Sequence, residues 1–165
     1  MKNFSKSLLS LLLISVFTIS SNSLFAQSNS DGGNNSEKRT YKKARVLTSK
    51  TAKKVVKVVE ALERQKVVKV PDPENEGKFI EKEEDDPDWN EAKRILTELL
   101  NERADLKSYD RSVMWNYWGY IYFSEEDYDQ AMYSYEQLLK EPEATIPLRT
   151  ASLLTLAQLN LVKTN

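Results

Sequence analysis

The stretch SYDRSVMWNYWGYIYFSEEDYDQAMYSYEQLLKEP, Ser108 to Pro142, decides how this chain is read. Trp115, Trp118, Gly119 and Tyr122 fall at i, i+3, i+4 and i+7, so on a helix they share one face. Ala131, Tyr135 and Leu138 follow at helical spacing as small, large and large. Gly119 lacks the side chain that would hold a second helix away, and Ala131 is small enough to meet it at the crossing. Between the two runs, Ser124-Glu125-Glu126-Asp127 breaks the pattern and supplies a polar turn. Its acids suit the positive end of the helix that follows. A lone aromatic stripe would point to a helical core and nothing more; here two helices, the turn and the small residues agree.

The joint pattern resembles the tetratricopeptide repeat (TPR): a large aromatic, Leu-Gly, Tyr, and later Ala, an aromatic and Pro. Trp115 takes the first place, Trp118-Gly119 stands for Leu-Gly, Tyr122 follows, and Pro142 lies one residue before its usual place. Flanking segments fit as partial repeats. Trp89-Asn90-Glu91-Ala92 with Ile95, Leu96, Leu99 and Leu100 mirrors Tyr128-Asp129-Gln130-Ala131 with Tyr135, Leu138 and Leu139, which makes Asp88 to Arg103 a second-type helix. Its partner is an amphipathic helix over Ser49 to Gln65. There Ala52, Val55, Val56, Val59 and Leu62 recur at spacings of three and four, while Lys50, Lys53, Lys54, Lys57 and Arg64 take the other side. After Pro147, Leu153, Leu156, Ala157 and Asn160 reproduce the first-helix spacing. The expected fold class is all-α: TPR-type helical hairpins over 48–165, two and a half repeats of an α-solenoid. The last helix is apolar on more than one face, where a solenoid end usually carries a polar cap. That implies a truncated chain, self-association or docking to another protein.

An acidic insertion, about 66–87, interrupts the pattern between the first two helices. Val67-Val68-Lys69-Val70, Pro71-Asp72-Pro73, Gly77 and Phe79-Ile80 suit a small hairpin; a mobile acidic loop suits the charged run Glu81 to Asp88 equally well. Glu37 to Lys69 holds twelve Lys or Arg against three acids, and Val70 to Ala92 ten acids against two lysines. The lysines of the first helix read as a solvated face compensated by the acidic segment that follows. A patch for an acidic partner or anionic lipid is the competing reading.

The amino terminus reads as an address. Met1 to Lys6 carries two lysines and no acid, Leu8 to Ile19 is apolar apart from Ser and Thr, and Leu24-Phe25-Ala26 ends on a small residue. A secretory signal peptide is expected over 1–26. As an uncleaved anchor the apolar run falls short of the ~20 residues that span a bilayer. Residues 27–47 are expected to be a disordered polar and basic linker, beginning QSNSDGGNNS. Export without cysteine fits a bacterial periplasm, with an extracellular location as the alternative.

Of 165 residues, 24 are Lys or Arg and 25 Asp or Glu; a leader carrying Lys2 and Lys6 leaves 22 bases against 25 acids. No nucleic-acid binder is indicated. The chain contains neither Cys nor His, so thiol nucleophiles, disulfides, imidazole bases and ordinary zinc sites are excluded. The acid pair Glu125-Glu126 reads as solvated turn residues that favour the next helix, not as a catalytic pair. The expectation is a non-enzymatic protein with no cofactor, metal or small-molecule substrate.

From about Lys93 to Val162 the chain is similar to the periplasmic TPR proteins associated with TonB, ExbB and ExbD energy-transduction systems. The likeness is closest over Ser108 to Pro142, with LLTLAQL (Leu153 to Leu159) matching the start of the next repeat. It implies a protein partner in the cell envelope and an adaptor role in TonB-dependent uptake. The alternative is a self-assembling structural homo-oligomer or a fragment of a longer scaffold. In such stacks the concave wall of first helices is the usual ligand surface. Val113, Asn116, Tyr117, Tyr120, Phe123 and Ser124 would line it here, and core burial is the competing reading for Tyr117, Tyr120 and Phe123. Carboxylate-clamp TPR domains use Lys and Asn at such positions. Only Asn116 matches, with Tyr120 in the place of a second Asn, so an apolar or extended peptide is the better ligand. Leu153, Leu156 and Leu159 of the last helix complete the candidate protein-binding set.

Overall fold

The computed structural model describes residues 45–163. The leader expected over 1–26, and the linker expected over 27–47 as far as residue 44, therefore lie outside the described residues. Those described form five helices and one hairpin: α1 (Ser49–Leu62), β1 (Gln65–Pro71), β2 (Phe79–Asp85), α2 (Trp89–Asn101), α3 (Ser108–Ser124), α4 (Tyr128–Lys140) and α5 (Ile146–Lys163). Each helix packs antiparallel on its neighbour in sequence, and α3 against α4 most extensively. The core runs along these seams through Val58, Ile95, Leu96, Leu99, Met114, Ile121, Leu138 and Leu159, none more than 2% exposed.

Helices α2 and α4 are built alike. Each has 13 residues. Asp88 and Asp127 cap them, each carboxylate accepting the backbone N–H three residues on, from Glu91 at 3.0 Å and Gln130 at 3.2 Å. Such a cap satisfies a donor that the helix cannot and is worth about 1 kcal/mol. Counted from the cap, the same four positions are buried: Ala92, Ile95, Leu96 and Leu99 in α2, Ala131, Ser134, Tyr135 and Leu138 in α4.

Helix α3 stops by a Schellman turn, with Asp127 N–H donating to Tyr122 O (2.9 Å) and Glu126 N–H to Phe123 O (3.1 Å). The turn places Glu126 at φ 64°, a left-handed conformation that glycine adopts more readily. It also aims Asp127 at the first turn of α4.

The fold is mostly helical, and the all-α expectation is corrected by the hairpin. Its strands pair antiparallel with Lys66 opposite Glu84, Lys69 opposite Glu81 and Val70 opposite Ile80. Three β-branched residues in β1 and complementary charge across the pair favour the ladder over a charged loop. At the tip Asp72 accepts Glu74 N–H (2.9 Å) and Asn75 Nδ2 (2.8 Å), and Gly77 takes φ 83°. Those bonds hold the Asp72 carboxyl below its ordinary pKa, the Glu74 N–H contributing most. At the base Arg64 donates to the Asp86 carbonyl and to the carboxylates of Asp86 and Asp88, all at 2.9 Å. The first helix accordingly ends at Leu62, short of the Gln65 expected, because Gln65 already belongs to β1.

Polar bridges tie the helix ends. Asp110, only 1% exposed, accepts Thr48 N–H (3.0 Å), Thr48 Oγ1 (2.7 Å) and Thr51 Oγ1 (3.2 Å). A carboxylate from α3 thus sits at the positive end of α1. Arg111 grips Glu141 with two bonds, 2.7 and 2.8 Å, and this raises the pKa of its guanidinium. Arg149 donates to the carbonyls of Leu139 and Glu141 at the end of α4, which lack helical partners, and to that of Ala144 in the connection to α5.

Candidate protein-interaction surface

The α3 candidates divide by depth. Tyr117 is 8% exposed and belongs to the core; burial raises its hydroxyl pKa above the ordinary tyrosine value. Tyr120 is half-buried, its ring 6.1 Å from that of Trp89 at the start of α2. Phe123 is half-buried too, 6.1 Å from Tyr128, and packs on the cluster of Ala131, Tyr135 and Leu159. Asn116 and Val113 are partly exposed, and Ser124 is exposed. Asn116, Tyr120 and Phe123 therefore reach solvent from α3, Tyr120 set against Trp89 and Phe123 against Tyr128.

Other aromatics of α3 pair within the helix and across to α4. Along α3 Trp118 stacks on Tyr122, centroids 5.1 Å apart and planes 19° from parallel. Trp115 meets Tyr133 edge-on at 6.0 Å. Such pairs add about 0.5–1.5 kcal/mol beyond the area they bury.

The α5 candidates do not form one group. Leu159 is 1% exposed, and Leu156 packs partly buried on the same Ala131–Tyr135 cluster. Leu153 is 57% exposed, on the opposite side. Leu154 and Ile146 share its exposure at 55% and 75%. Ile146 lay outside the sequence-based set, although its spacing of seven from Leu153 could have found it.

The lysines of α1 face a different compensating segment from the one expected. Lys50 pairs with Glu102 (2.9 Å) and Lys54 with Glu98 (3.1 Å) and Glu102 (3.5 Å), acids of α2 and its carboxy-terminal cap. Hydrogen bonds from Lys54 and from Lys50 respectively hold Glu98 and Glu102 below the usual carboxylate range. The acidic insertion instead compensates Arg64 and Lys66, through Asp86. Glu125, one of the two turn acids, accepts Lys93 Nζ.

Among the described residues no group of three or more His, Cys, Asp or Glu is placed to hold a metal ion, and no helix is long and apolar enough to cross a membrane. Compared with protein-family models, with curated proteins and with solved structures, the chain matches none.

Proposed function

We infer that this is a helix-pair repeat protein of the TPR kind that binds another protein, an adaptor without catalytic chemistry. The observation that carries the reading is the register of buried positions. Ala92, Ile95, Leu96 and Leu99 of α2 stand 39 residues before Ala131, Ser134, Tyr135 and Leu138 of α4. Met114, Tyr117 and Ile121 of α3 stand 38 residues before Ser152, Thr155 and Leu159 of α5. Thr51, Val55 and Val58 of α1 stand 59 before Asp110, Met114 and Tyr117, which is one such unit plus the length of the hairpin. One supersecondary unit, repeated and once interrupted, accounts for all three offsets. The unit is longer than the about 34 residues usual for this repeat.

Repeats of this kind present their first helices to a ligand, so Asn116, Tyr120 and Phe123 are the contact residues of choice. A half-exposed aromatic wall with one amide suits an extended, largely apolar peptide: stacking supplies affinity and Asn116 pairs with its backbone. The export signal and the likeness to TonB-associated proteins favour a periplasmic partner within a TonB-type transport complex. Calorimetric titration of the protein with the periplasmic parts of TonB and of ExbD tests this. Saturable heat with one of them, lost in Tyr120→Ala, is expected; no heat with either overturns the assignment.

A further inference from the structure

Helix α5 carries apolar side chains on both its buried and its exposed sides. Towards the core it buries Ser152, Thr155 and Leu159, and the two hydroxyls turn back onto carbonyls of their own helix, Leu148 O at 2.8 Å and Ala151 O at 3.0 Å. On the far side Ile146, Thr150, Leu153, Ala157 and Leu161 follow one another at spacings of three and four, with Leu154 on the flank, and all six are exposed. Of the eleven large hydrophobic side chains exposed among the described residues, five lie on this helix. Scattered apolar residues on a surface need no explanation, but a continuous stripe marks an interface.

We propose that this stripe pairs with its own copy: two chains dimerise through antiparallel α5 helices related by a two-fold axis at Ala157. About that residue Leu153 lies four positions before and Leu161 four after. An antiparallel pairing centred there sets Leu153 of each copy against Leu161 of the other, and the small Ala157 at the axis lets the helices approach closely. Charge selects the same occupant. Arg149 and Lys163 are the only charged residues of α5. Arg149 is committed to the carbonyls at the end of α4, and Lys163 to Asp129. The stripe therefore meets a copy of itself without like charges facing, and it has no charge with which to select a charged partner. This dimer does not depend on the adaptor reading.

Sedimentation equilibrium of the full chain tests the pairing. A dimer is expected, and Leu153→Lys or Leu161→Glu alone should weaken it on the order of a hundredfold. Both changes in one chain should restore it, since the introduced lysine then faces the introduced glutamate across the axis. Both sites are exposed, so each variant keeps its helical circular dichroism. The chain has no cysteine of its own, so oxidised Ala157→Cys should run as a covalent dimer through that one thiol, as near contact at a two-fold axis allows. A chain that stays monomeric overturns the proposal, whether residues 1–44 or a different protein take the face. A dimer that tolerates either single change, or that Ala157→Cys fails to cross-link, overturns it as well.

Discussion

A Cβ added to Gly119 would lie 2.7 Å from both Cε1 and Cζ of Tyr135. The tyrosine ring is 3% exposed and fills the space beside the glycine backbone, so α3 and α4 are in contact there through a residue pair that admits no extra carbon.

Gly119→Ala therefore runs against helix propensity. In an open helix the change gains about 1 kcal/mol; here overpacking costs about 1–3 kcal/mol, and a net loss of up to about 2 kcal/mol in urea unfolding is expected. Combined with Tyr135→Leu, which vacates the ring, the alanine should cost nothing further. Additive losses would mean that the two residues do not touch.

Asp110 joins α1 to α3 through three hydrogen bonds at a buried carboxylate. Asp110→Ala leaves two threonine hydroxyls and an N–H facing an apolar gap, and should lower stability by about 2–4 kcal/mol. Asp110→Asn keeps one acceptor and should lose about half as much. Equal losses would show that the site answers to volume and not to its hydrogen bonds.

Glu126 holds a left-handed backbone in the turn between α3 and α4. Glu126→Gly should raise stability by about 1 kcal/mol, the relief of that conformation exceeding the entropy glycine adds to the unfolded chain. A lower urea midpoint in the glycine variant would argue that the glutamate side chain matters more than its backbone.

Burial raises the pKa of the Tyr117 and Tyr135 hydroxyls. In the unfolded chain they ionise near 10. Their contribution to stability is thus complete below about pH 10 and is lost as pH climbs above it towards the folded values, because the unfolded state then releases protons that the folded state keeps. The urea midpoint should fall between about pH 10 and 11.5, and less steeply in Tyr135→Phe, where one of the two hydroxyls is gone. An unchanged slope would remove Tyr135 from the alkaline transition.

Much of this fold is local and was legible. The spacing of Ala131, Tyr135 and Leu138 orients α4, and Gly119 marks the crossing. Helix α3 was harder: aromatics surround it, so periodicity alone does not say that Tyr117 faces inward while Tyr120 meets Trp89. Helix α5 misleads for the same reason. Its leucine spacing groups Leu153, Leu156 and Leu159 as one binding set, yet Leu159 and Leu156 go to the buried side beside Ser152 and Thr155, and Leu153 turns outward. Two features could not be read from neighbours in the chain. The bond from Thr48 to Asp110 spans 62 positions, and the hairpin depends on charges that meet only when β1 and β2 pair.

The central claim is that two helix pairs, sealed at matching positions, make one stack. Nuclear Overhauser contacts in the full chain test it most directly. The account predicts cross-peaks from the Gly119 α-protons to the Tyr135 ring, and from the Thr48 or Thr51 methyl protons to the β-protons of Asp110, linking α3 to α4 and α1 to α3. A Tyr135 ring with no cross-peak to Gly119, in a chain whose helical signal is intact, would contradict it.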